Sequence, residues 1–91
     1  MIEENKFIKL SKRIIVHNNY DTNVACCIEE MSELIKVLCK EQRKSKKFSM
    51  ENLKEEISHV ILMCSVIAIE NNITNEDLYN IQINAVERME N

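Results

Sequence analysis

The spacing of apolar and polar positions along the chain predicts four helices. Apolar residues recur three or four positions apart, which is the period of one face of an α-helix. The predicted helices cover about residues 4 to 18, 23 to 43 and 50 to 72, and a shorter fourth begins near Thr74. Polar, turn-prone residues separate them, first at 18–23 and again at 71–72.

Residues suited to capping lie where these helices should begin. Asp21 or Thr22 can cap the second helix, and Ser49 can cap the third, because their side-chain oxygens accept hydrogen bonds from backbone N–H groups. Thr74 and Asp77 have the spacing of a capping box at the start of the fourth. These signals agree with the boundaries that the apolar pattern predicts.

Composition strengthens the helical prediction. The 91 residues include no glycine and no proline, so the tight turns of β-hairpins lose their preferred residues. We therefore expect a single all-α domain over residues 1–91, built as a bundle of about four helices. A chain of this size buries only part of its surface, so oligomerisation is an expected source of further stability.

The third predicted helix is apolar on two sides. One stripe is formed by Leu53, Ile57, Val60, Ile61, Cys64 and Ala68, and the other by Leu62, Val66, Ile69 and Ile73. Two apolar sides cannot both be covered within one small bundle. This pattern predicts a homodimer or homotetramer.

Charge and cysteine content exclude several classes of protein. The net charge of −3 argues against nucleic-acid binding, which usually requires a basic excess. No apolar run approaches the ~20 residues of a membrane span, and the N-terminus lacks the features of a signal peptide. The four cysteines include no C-x-x-C pair, so small buried thiols are expected rather than a zinc site. We expect a cytoplasmic protein that binds neither nucleic acid nor membranes.

Two acidic clusters border the apolar stripes of the second and third helices. Glu30 and Glu33 share one helix face, as do Glu56 and His59, because residues three apart lie on the same side. Carboxylates gathered at the edge of a core are costly to desolvate without a cation or a hydrogen-bonding partner. The four residues together predict a site for a divalent ion, of which Mg²⁺ prefers oxygen ligands.

His59 has two interpretations. A neutral imidazole binds Mn²⁺ or Fe²⁺ well and Mg²⁺ poorly, so it is a plausible ligand for a softer ion. The alternative is a histidine that is hydrogen-bonded at the margin of the core, for example to Glu33. Both interpretations stay open at this point.

A basic stretch connects the two long helices. Its cations, in residues 40–47, oppose the negative end of the second helix, which is what a solvated helix terminus requires. The functional interpretation is a loop that attracts phosphate groups beside the acidic site.

The order of these features resembles the MazG-like family of all-α nucleoside triphosphate pyrophosphohydrolases. The family signature is E-E-x-x-E on one helix, a basic loop, and E-x-x-D on the next. The first half stands here as residues 29–33, and the second as Glu56-Ile57-Ser58-His59. The resemblance covers about residues 20 to 75.

The resemblance implies Mg²⁺-dependent hydrolysis of a nucleoside triphosphate to the monophosphate and pyrophosphate, in a dimer or tetramer. It assigns metal binding to Glu30, Glu33 and Glu56. Glu29 would bind a second metal or orient the attacking water. The phosphate tail would be met by Lys44, Lys46, Lys47 or Lys54.

Two departures from the family pattern reduce the negative charge of the site. His59 stands in place of the aspartate, and Cys26 stands where many members carry another acid. Weaker Mg²⁺ binding, a preference for Mn²⁺, or loss of catalysis would each follow. A catalytically weakened nucleotide-binding or interaction module on the same fold is therefore the alternative function. A further alternative is an iron or manganese site in a dimer, because Glu56 and His59 form the E-x-x-H pair of di-iron bundles.

Overall fold

The structure, a computed structural model, describes residues 6–91, which form four α-helices and no strand. This confirms the predicted all-α bundle. The start of the first helix at about residue 4 lies outside the described residues. The helices are α1 (Lys6–His17), α2 (Tyr20–Gln42), α3 (Met50–Glu70) and α4 (Asn75–Glu90).

The helix starts follow local capping chemistry. α2 begins three residues before its predicted start because Asn19 caps it, accepting a 2.8 Å hydrogen bond from the Thr22 N–H. The prediction of Asp21 or Thr22 as the cap is therefore wrong; both lie in the first turn instead. Ser49 caps α3 as predicted.

The capping box of α4 is also formed as predicted. The Asp77 N–H donates to Thr74 Oγ1 at 3.1 Å, and the Thr74 N–H donates to the Asp77 carboxylate at 2.9 Å. The hydrogen bond from the Thr74 backbone N–H, and after it one from the Thr74 side chain, lowers the pKa of Asp77, because both favour its charged carboxylate.

α2 and α3 both end in a residue with left-handed backbone, although the chain has no glycine to supply it. Lys44 has φ 54° after α2, and the Ser45 N–H closes the turn onto the Lys40 carbonyl at 2.9 Å. Asn72 has φ 57° after α3, with the Ile73 N–H bonded to the Ala68 carbonyl. Both are Schellman turns. Asparagine tolerates this conformation better than lysine does.

α3 is the central helix, packed antiparallel to α2 along most of its length and against α1 on another side. Cys27, Met63 and Val66 form the buried core. Ser11 of α1 is fully buried, and its hydroxyl donates to Ser65 Oγ of α3 at 2.8 Å. Half-buried side chains surround this core: Ile14, Ile15, Cys26 and Ile67.

α4 has no comparable packing against the other described helices. The chain is accordingly extended, with a radius of gyration of 15.5 Å, whereas a compact domain of this length would have ~12 Å. No single helix within residues 6–91 is both long and apolar enough to cross a membrane. α3 and α4 taken together satisfy that test by length and composition only, and they are bent by 118° at their break.

The most apolar side of α2 is not the side that packs against α3. Ile28 and Ile35 are 63% and 60% exposed, whereas Val37 is buried. On α3, Val66 of the second predicted stripe is fully buried, whereas Ile57, Ile61 and Cys64 of the first stripe are exposed. Met31 of α2 and Ile61 of α3 line one groove, so the exposed rows lie side by side. We call these residues the apolar face: Ile28, Met31, Ile35, Leu38, Ile57 and Ile61.

Candidate metal centre

The packing of α2 on α3 brings Glu30, Glu56 and His59 together. Each residue offers one ligand atom, and the three atoms lie within 4.8 Å of one another. Glu30 lies on the side of α2 that contacts α3, in the same row as Cys27 and Val37. Glu56 and His59 are one turn apart on α3. Three of the four predicted ligands therefore converge.

His59 links the two carboxylates. Its Nδ1 lies 2.9 Å from Glu30 Oε2 and 3.3 Å from Glu56 Oε1. A carboxylate oxygen accepts only, so Nδ1–H is the donor to Glu30. The Glu56 side chain is the least exposed of the three at 15%, and His59 is the most exposed at 43%. The cluster is thus anchored in the helix interface and open to solvent on one side.

The donor set fits a divalent ion of intermediate softness. Adjacent ligands of an octahedral ion with bond lengths of ~2.1 Å stand ~3.0 Å apart. His59 Nδ1 lies 2.9 Å and 3.3 Å from the two carboxylate oxygens, which is close to that spacing, and it would lose its proton on binding an ion. Two carboxylate oxygens and one imidazole nitrogen suit Mn²⁺ or Fe²⁺ better than Mg²⁺. Three protein ligands also leave coordination positions for water or a phosphate oxygen.

Glu33 lies outside this cluster. Three residues along a helix correspond to a rotation of about 60° away from Glu30, toward the side of α2 that faces solvent. There the Glu33 carboxylate accepts a 3.2 Å hydrogen bond from Lys36. The partner of His59 is therefore Glu30 and not the Glu33 that the sequence suggested.

Glu29 is exposed and lies about 100° round α2 from Glu30. Its backbone carbonyl accepts a 2.7 Å hydrogen bond from the Ser32 hydroxyl. The side chain is not part of the cluster of ligand atoms. Its assignment to a second metal or to the attacking water stays a prediction.

The predicted phosphate-binding lysines lie outside the cluster of metal-ligand atoms. Lys54 is paired with Glu51 at 3.6 Å, and both side chains are largely exposed. Lys44, Lys46 and Lys47 are exposed in the loop after α2. That helix ends twelve residues beyond Glu30, which is ~18 Å along its axis. Contact between these lysines and a bound phosphate stays a prediction.

No protein-family model, curated protein or solved structure gives a significant match to the chain. The donor atoms and their surroundings are therefore what bear on its chemistry.

A buried polar contact between the start of α2 and the end of α3 was not predicted from the sequence. Asn23 is fully buried on α2, and its Nδ2 donates to Glu70 Oε2 on α3 at 3.2 Å. Asn23 Oδ1 is buried with no hydrogen-bond partner among the described residues. Asn23, Cys27 and Glu30 have helical spacing, which would have placed Asn23 on the side of α2 that contacts α3. A search for apolar residues alone does not detect this, because Asn23 and Glu30 are polar.

Proposed function

We propose that this chain is a divalent-metal-dependent hydrolase that converts a nucleoside triphosphate to the monophosphate and pyrophosphate. The observation that carries the proposal is the convergence of Glu30, Glu56 and His59 from two helices. The sequence signature, which resembles the MazG-like family, supports the same conclusion. The proposal includes its metal, either Mg²⁺ or Mn²⁺, and the imidazole ligand favours Mn²⁺.

The residues of the centre have distinct roles in this proposal. A divalent ion at this position would neutralise phosphate charge and lower the pKa of a bound water. Glu30 and Glu56 would hold the ion, and water would hydrolyse the P–O–P anhydride linkage between the α and β phosphates, so that a P–O bond breaks and pyrophosphate leaves. Glu29, on the exposed side of α2, is available to orient that water. Lys54 is the predicted phosphate-binding residue nearest to Glu56 in the chain.

Association of two or more chains belongs to the same proposal. The apolar face of α2 and α3 leaves Ile28, Ile35 and Ile61 more than half exposed. Contiguous exposed apolar surface of this kind marks an interaction site in soluble proteins. We infer that a second copy covers the apolar face in a homodimer or homotetramer. This face belongs to α2 and α3, the same two helices that carry the proposed metal ligands.

The enzymatic proposal is tested with a panel of ribo- and deoxyribonucleoside triphosphates, each with Mg²⁺ or Mn²⁺. We expect release of pyrophosphate, and at least ~100-fold less with Glu30→Gln or Glu56→Gln, because a carboxylate ligand is lost. Glu41→Gln is the matched control, since Glu41 is an exposed glutamate on α2 outside the cluster. No pyrophosphate from any nucleotide with either metal would remove the enzymatic proposal.

The second candidate is a catalytically weakened nucleotide-binding or interaction module. It is favoured by the His59 Nδ1–H group, which already occupies the space between Glu30 and Glu56. Replacing His59 with aspartate exchanges this donor for a third anionic ligand. If the parent is inactive, a gain of Mg²⁺-dependent activity in His59→Asp supports this candidate. High activity of the parent with Mn²⁺ excludes it.

A further inference from the structure

Two thiols meet across the interface of α2 and α3, one turn from the metal centre. Cys27 of α2 is 5% exposed in the core, whereas Cys64 of α3 is exposed. Both line a groove of about 890 Å³, between the first three helices and the start of α4. The Asn23–Glu70 and Glu30–His59 contacts flank the two cysteines on either side, so the antiparallel register of the helices places Cys27 opposite Cys64.

The two thiols differ in their access to solutes. Burial raises the pKa of Cys27, and the neighbouring Cys64 raises it further. Cys27 therefore stays a thiol and is shielded from reagents in solution. Cys64 opens into the groove, so a small oxidant reaches it first. An accessible cysteine that lies opposite a second, resolving cysteine is typical of redox-sensitive sites.

We propose that Cys27 and Cys64 are an oxidative modification site, at which a peroxide forms an intramolecular disulfide between α2 and α3. The Cys64 thiolate attacks one peroxide oxygen, the O–O bond breaks, and hydroxide leaves, which gives a sulfenic acid. Cys27 sulfur then attacks the Cys64 sulfur, the S–O bond breaks, and the hydroxyl group leaves as water with the Cys27 proton. Each cysteine sulfur is oxidised by one electron overall, and the peroxide is reduced to two waters.

The position of the disulfide gives it a consequence for the metal centre. Cys27 lies one turn before Glu30 on α2, and Cys64 lies five residues after His59 on α3. A covalent link there fixes the spacing on which the 2.9 Å contact between Glu30 and His59 depends. This consequence rests on the proposed function, whereas formation of the disulfide does not.

The test treats the reduced, folded protein with hydrogen peroxide and follows free thiols by alkylation under denaturing conditions and mass spectrometry. We expect two of the four thiols to be lost, with a peptide that links Cys27 to Cys64. Cys27→Ser and Cys64→Ser should lose that product, and the matched controls Cys26→Ser and Cys39→Ser should retain it. Oxidation of Cys64 to the sulfinic acid with Cys27 still free would overturn the proposal.

The same reaction in urea separates a preformed pair from random pairing. The folded chain should form the Cys27–Cys64 link at least ~10-fold faster than the unfolded chain, because the fold already holds the two cysteines opposite each other. Equal rates, or links that join two chains instead of one, would contradict the proposal. The readout needs neither metal nor nucleotide, so its failure is distinguishable from failure of the proposed hydrolysis.

Discussion

Two rows of residues run along α2 with the same spacing, one position apart. The row of Asn23, Cys27, Glu30, Leu34 and Val37 packs against α3, although it contains an amide and a carboxylate. The row of Val24, Ile28, Met31, Ile35 and Leu38 is wholly apolar, yet its last four members are exposed.

The comparison shows that the row containing polar residues is buried against α3, whereas most of the wholly apolar row is exposed. Polar residues in the inner row have partners on α3, namely Glu70 and His59, which reduce the cost of their burial. The last four members of the outer row stay between 42% and 63% exposed within residues 6–91. Its apolar surface is therefore the part of the molecule best suited to a second chain.

The largest expected effect compares truncations in the core and on the apolar face. Met63→Ala should lower the free energy of unfolding by ~2–5 kcal/mol, because it leaves a cavity beside Val66. Ile35→Ala should cost less than ~0.5 kcal/mol in dilute protein, where its side chain is exposed. Urea denaturation at low and high protein concentration measures both.

The losses in free energy of unfolding for Met63→Ala and Ile35→Ala should depend differently on protein concentration. If a second copy covers the apolar face, the cost of Ile35→Ala should grow with protein concentration, because association stabilises only the folded state. The cost of Met63→Ala should change less. Identical costs for Ile35→Ala at every concentration would contradict association through this face.

A charge substitution addresses the apolar face directly. The double variant Ile28→Lys with Ile35→Lys should weaken self-association by roughly 100-fold, because two apolar contacts are replaced by charges that must be desolvated. Sedimentation velocity measures the shift toward monomer. Ala25→Lys is the control for the single variant Ile28→Lys, since each adds one positive charge and Ala25 is exposed elsewhere on α2. Equal weakening by the control would show that net charge, and not the apolar face, sets association.

The smallest expected effect lies at the end of α2 and involves neither row. Lys44→Gly should raise the free energy of unfolding by about 1 kcal/mol, because glycine adopts the left-handed φ of 54° without a Cβ clash. Asn72→Gly should gain less, since asparagine already tolerates this conformation. Thermal unfolding of the two variants gives the comparison. A loss of stability in Lys44→Gly would mean that the Lys44 side chain makes a contribution larger than the backbone strain.

Much of the candidate site could be predicted from the sequence because helical spacing fixes which residues share a side. Glu56 and His59 are neighbours in any helix that contains them, and so are Glu30 and Cys27. That Glu30, and not Glu33, meets His59 could not be predicted in this way. The choice depends on the rotation of α2 about its own axis. Two rotations bury a row of residues with helical spacing, and these two rows are one position apart in the sequence.

Over residues 6–91, the sequence by itself determined the four helices, the caps at Ser49 and Thr74 and the absence of strands, since these depend on interactions within a few residues. Only the tertiary structure decided which row of α2 is buried, which acids reach His59, and that Cys27 lies opposite Cys64. The physical reason is that period and capping act along one helix. Burial depends instead on where a second helix, distant in sequence, comes to lie.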